Sequence, residues 1–198
     1  MNMKKRMLSI VLSGAMAVST AVSAGSFSAF AVAQCVAYSG SNVNDQDYVQ
    51  WSDTVKSYLT VCDNGNYMRV QSGAIKGKLL VEYYSSDFEP LSTKLIDNEL
   101  PVFGAFYDSG NNYYVLSGQE NPKQNDSLEV FRITKYDKNW NKIKSCGLYG
   151  ANTTVPFDAG SARMPHCGDH LLVRTCHEMY KSSDGNNHQA NVTIEVDM

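Results

Sequence analysis

At 198 residues, with 43% apolar residues, twelve tyrosines and a formal net charge of −3, the chain has the composition of an ordinary globular protein of one domain or little more. No basic excess points to nucleic acid, and no acidic block points to a solvated tail. The balance of charge therefore predicts no nucleic-acid partner.

The first segment reads as an export signal. "MNMKKRML" supplies a positively charged start and "SIVLSGAMAVSTAVSAGSFSAFAVA" a small, apolar stretch interrupted by Ser and Gly. Small residues at 29 to 31 ("AFA") or 31 to 33 ("AVA") then offer a cleavage site. Residues 1–33 are expected to be a signal peptide, leaving a secreted or cell-surface protein with no membrane span after cleavage. Gln34, standing before Cys35, departs from the small residue that a lipoprotein site requires.

Residues 34–55, which after Gln34 read "CVAYSGSNVNDQDYVQWSDTV", form a polar lead-in in which "DYVQWS" is a candidate ring-closing strand. Five cysteines, Cys35, Cys62, Cys146, Cys167 and Cys176, show no C-x-x-C spacing, so the sequence calls for neither a metal nor a cofactor. Their odd number leaves at least one thiol free or linked to another chain, and the pairing of the rest stays open.

From residue 56 onward the chain repeats itself. "VEYYSSDFEPL" at 81–91 aligns without a gap on "ITKYDKNWNKI" at 133–143: Val81 with Ile133, Tyr84 with Tyr136, Asp87 with Asn139, Phe88 with Trp140 and Leu91 with Ile143. Each is an alternating apolar strand, a polar turn with an aromatic over it, and a second strand. The upstream halves match as well, because "DNGNYMRV" at 63–70, "DSGNNYYVL" at 108–116 and "HCGDHLLVR" at 166–174 each set a glycine turn before a strand.

Strands are predicted at 56–62, 67–72, 78–84 and 90–96, then at 102–107, 113–118, 128–136 and 142–147, and finally at 158–165, 170–176 and 190–197. A period of about 45 to 60 residues with four short strands and no amphipathic helix predicts an all-β fold, a partial β-propeller of about three four-stranded antiparallel blades with the last incomplete. The blades fall at about 56–97, 102–147 and 158–198.

On these residues the sequence resembles the leading part of a secreted bacterial β-propeller repeat protein, over roughly 56–197. The segment "YDKNWNKI" is similar to hairpins that end propeller blades, without the Trp-Asp pair of one repeat class or the glycine pair of another. The resemblance is to an architecture and brings no catalytic motif. Rings of this fold have roughly four to eight blades, so three blades imply a fragment of a longer protein or open edges available for self-association.

Chemistry is expected on the face shared by the loops between second and third strands. These are "GAIKG" at 73–77, "QENPKQNDS" at 119–127 and "EMYKSSDGNNHQ" at 178–189, and they lengthen along the chain. At the last, His177 just before it and Glu178, Asp184 and His188 within it are the candidate ligand-binding residues, with chemistry suited to acid–base work or to polar contacts. His177 and His188 could converge across the loop base, whereas His177 and Glu178 alternate along a strand. The competing reading is a polar loop satisfying its own backbone, with Asp184 and Gly185 in a tight turn. His166 and His170 lie in the turn "HCGDH", on the opposite face.

Function follows from that face. The sequence reads as a secreted or surface module binding an extracellular ligand, a glycan being one candidate. The alternative is an extracellular hydrolase or lyase with a histidine-containing site, and a purely structural segment is the third reading.

Overall fold

The computed structural model describes residues 54–158 and 162–198. The export signal, the candidate closing strand at 47–52 and Cys35 lie outside the described residues. Among the described residues there are twelve strands: β1 (Ser57–Val61), β2 (Tyr67–Ile75), β3 (Lys78–Tyr84), β4 (Pro90–Asp97), β5 (Val102–Asp108), β6 (Tyr113–Gly118), β7 (Glu129–Tyr136), β8 (Lys142–Tyr149), β9 (Thr153–Pro156), β10 (His166–Cys167), β11 (His170–Lys181) and β12 (Asn187–Asp197).

They form three antiparallel sheets in chain order. The first is β1-β2-β3-β4, the second is β5-β6-β7-β8, and in the third β11 pairs with β12 on one side and with β9 and β10 on the other. The molecule is all-β, a partial propeller of three blades. The third blade has three strand positions, the first of them shared by two short pieces.

Alternation explains why the sheets stack. Consecutive residues of β6 point to opposite faces, and all six are buried. Tyr113 and Val115 join Phe106, Tyr136 and Trp140 against Met68, Val70, Leu79 and Val81 of blade one. Tyr114 and Leu116 join Phe131 and Ile133 against Leu171, Val173 and Ile194 of blade three. Blade two is thus covered on both faces. Each large apolar side chain fully buried there contributes about 1.5–3 kcal/mol.

Two expectations change. The strand expected at 158–165 is replaced by β9, an isolated Arg163–Arg174 bridge and β10. Pro156 closes β9, and Phe157 with φ 61° turns the chain out of the ladder at once. The long polar loop expected at 178–189 is largely ladder: β11 runs to Lys181 and β12 starts at Asn187, with Glu178 opposite Gln189. Only Ser182–Asn186 remain as a turn, closed by a hydrogen bond from Ser182 N–H to the Asn186 carbonyl. A hairpin ladder satisfies the backbone of these polar residues, which an open loop would leave to water.

Candidate functional site

The β6–β7 connection is the one long second-to-third-strand loop among the described residues, and a single buried side chain organises it. Asn121 donates from Nδ2 to the Asn125 carbonyl (3.1 Å) and to the Tyr180 hydroxyl (2.9 Å), and its Oδ1 accepts the Asn125 N–H (2.9 Å). Its backbone N–H donates to the Thr154 carbonyl (2.7 Å). A buried amide with every group paired fixes a loop in place, and here two of its partners belong to blade three. The loop of blade two is therefore tied to the neighbouring blade.

Beside that tie lies a cleft of about 180 Å³, lined by Thr54, Val102, Glu120, Val155, Pro156, Phe157 and Asp158. All three blades contribute. Thr54 leads into β1, Val102 opens β5, and Val155 and Pro156 end β9, while Glu120 comes from the organised loop. Thr54 Oγ1 donates to the Phe103 carbonyl at 3.2 Å. Asp158 Oδ2 accepts from Gln189 Nε2 at 2.6 Å, and Glu120 is exposed.

Phe157 is the pivot of the cleft. A positive φ on a bulky aromatic costs of order 1–3 kcal/mol and persists only where surroundings enforce it. The enforcement is visible: the ring lies edge-on to Phe131 (5.5 Å, 70°) and directly over Gly104 and Gly118. A Cβ on either glycine would stand 2.4 or 2.7 Å from the ring. Two glycines in strands, normally a weakness, are what let the ring lie flat against blade two.

The four residues expected from the sequence fall into separate clusters behind and beyond this cleft. His177 is buried, with Nδ1 2.6 Å from Thr153 Oγ1, and burial lowers its pKa. Glu178 Oε1 accepts from the Thr154 hydroxyl (2.6 Å) and from Asn187 Nδ2 (3.2 Å). His177 and Glu178 pair with Pro156 and Val155 of β9, so they sit one strand behind the lining.

Asp184 and His188 meet at the hairpin tip, 2.8 Å apart and half exposed. The Asn186 N–H, the Ser182 hydroxyl and His188 hold the Asp184 carboxyl well below the usual range. The structure thus joins Asp184 with His188 and Glu178 with Asn187, and gives His177 and His188 different partners.

The remaining sequence features also have places. His166 Nδ1 bonds the Tyr107 hydroxyl, and His170 lies between Glu195 (3.0 Å) and Asp197 (3.2 Å). Cys62, Cys146, Cys167 and Cys176 are free thiols. Among the described residues no group of three or more His, Cys, Asp or Glu could hold a metal ion.

Glu120, Phe157 and Asp158 were not singled out by the sequence. Glu120 lies in a loop that was; Asp158 fell at the start of an expected strand and carried no signal of its own.

No family model matches the chain, and no curated protein matches it. Solved structures resemble it, among them two glycoside hydrolases. One is a GH43 β-1,3-galactosidase with galactodeoxynojirimycin, at 11% identity and a TM-score of 0.40, aligned over 82% of this chain and 47% of that one. The other is a second GH43 β-1,3-galactosidase, at 11% identity and a TM-score of 0.40, over 72% of this chain and 31% of that one. The chain spans less than half the length of either.

Proposed function

We propose that the chain is an exported propeller module, secreted or held at a bacterial cell surface, that binds an extracellular glycan in the cleft between Glu120 and Asp158. The observation that supports this most is that one cleft draws its lining from the first-strand ends of all three blades. Its chemistry suits a sugar: two carboxylates accept hydroxyl protons, while Val155, Pro156 and Phe157 offer an apolar surface to a ring's C–H face. The export pattern at 1–33 supports an extracellular setting. Ring closure in this fold supports a place within a longer or oligomeric ring.

The test is a glycan-array screen with the exported chain, followed by calorimetry on the best hit. N-terminal mass should place the start of that chain at residue 32 or 34. Glu120→Gln and Asp158→Asn should each weaken binding about tenfold, the scale of one charge-assisted hydrogen bond. Equal affinity in both variants, or no glycan bound at all, would refute the reading.

A second reading is an extracellular hydrolase or lyase acting on a glycan or ester. The pair of carboxylates lining one cleft favours it, since glycosidic cleavage uses two such groups. Release of reducing ends by the native chain, lost in either carboxylate variant, would establish it. Turnover lost instead in a His177→Ala/His188→Ala variant would put the chemistry on the histidines.

A further inference from the structure

The opposite face, formed by the turns between first and second and between third and fourth strands, carries a cleft of about 330 Å³ at the junction of blades one and two. Asp63, Asn66 and Tyr83 of blade one line it, with Tyr113 and Lys138 of blade two. A cleft of about 320 Å³ stands at the junction of blades two and three, built from the same places in the repeat. Asn112 and Lys135 there occupy the positions of Asn66 and Tyr83, and His166 and Asp169 come from the next blade. Recurrence at successive junctions marks the cleft as a product of the repeat, and its size lies at the lower end of small-ligand sites.

Three details define what the first cleft would accept. The Tyr113 ring is packed between the blades, and its hydroxyl borders the cleft without a hydrogen bond to the described residues. The Tyr83 hydroxyl accepts from Trp140 Nε1 at 3.1 Å and keeps its own proton to donate.

Lys138 is already committed, paired with Asp108 at 2.6 Å and lying 4.3 Å over the Tyr113 ring, so it brings no free charge for an anion. What remains is the Tyr83 and Tyr113 phenols, the Asn66 amide and the Asp63 carboxylate, a set of hydrogen-bond donors and acceptors with one negative charge. That set fits vicinal hydroxyls.

We propose that this blade-junction cleft is a second saccharide subsite, which takes a neutral hexopyranose unit with the Tyr113 and Tyr83 hydroxyls, Asn66 and Asp63 as its hydrogen-bond partners. It stands apart from the Glu120–Asp158 cleft and does not depend on it. The Tyr113 hydroxyl makes no bond within the described fold, so removing it should leave stability unchanged and affect only the ligand.

The experiment is saturation-transfer NMR and calorimetry on the full chain, with methyl β-D-galactopyranoside and methyl β-D-glucopyranoside as probes. One of them should bind, and Tyr113→Phe and Asn66→Ala should each lower its affinity about fivefold. Melting temperatures should stay within a few degrees of the parent. Glu120→Gln should leave this binding intact. No binding of either glycoside, unchanged affinity in both variants, or loss confined to Glu120→Gln would overturn the proposal, and the last result would speak for the other face.

Discussion

His177 shows how burial acts on a candidate acid–base group. Its ring is 5% exposed and bonded to Thr153, and removal from water disfavours its charged form. An unfolded chain takes up this proton as pH falls through about 6.5, the ordinary histidine value, whereas the folded chain resists it. Stability from His177 is therefore complete above that pH and declines below it. Melting curves between pH 7.5 and 5.5 should show a downward trend that is clearly shallower in His177→Gln. Identical trends in both proteins would mean that the imidazole stays accessible to protons in the fold.

At the scale of elements, one turn geometry recurs at four hairpins. At 62–66, 85–89, 137–141 and 182–186, the fourth residue donates its N–H to the carbonyl of the first, at 2.9 to 3.0 Å. That fourth residue is left-handed each time: Gly65 (φ 80°), Phe88 (62°), Trp140 (63°) and Gly185 (84°). The sequence aligned Phe88 with Trp140 but kept the glycines in another set, because aromatics seldom adopt positive φ.

The same backbone should nevertheless respond differently to the same change. Phe88 is 58% exposed and stacks on Tyr67, whereas Trp140 is 5% exposed in the core between blades one and two. Phe88→Gly should stay within about 1 kcal/mol of the parent, glycine's ease at positive φ offsetting the lost stack. Trp140→Gly should cost about 3–5 kcal/mol in denaturant melts. Similar losses in the two would show that the turn, and not the ring's burial, sets the energy.

At the scale of the whole molecule, blade two has a neighbouring blade on both faces among the described residues, while blades one and three each have one. Leu59, Val61 and Leu95, which the strand registers place on one face of blade one, are each about half exposed or more. On blade three, Arg174, Glu195 and Asp197 are exposed. Exposed apolar area on a sheet invites association. Sedimentation velocity should show association that rises with concentration and is reduced in a Leu59→Thr/Val61→Thr variant; a monomer at every concentration would sink that expectation.

Alternation and repetition made blades one and two readable in advance, because a strand's pattern is a local property of residues two apart. The same rule implied that His177 and Glu178 face opposite ways, and they bond Thr153 and Thr154 respectively. It did not foresee the broken inner strand of blade three, where Pro156 and the left-handed Phe157 interrupt the ladder. Nor could it bring Glu120 and Asp158 to the lining of one cleft or set Phe157 on Gly104 and Gly118. The sequence by itself determined an all-β repeat and the alternation that stacks its blades. Only the tertiary structure decided which polar groups share a cleft, because such neighbours come from different sheets and are fixed by packing between blades.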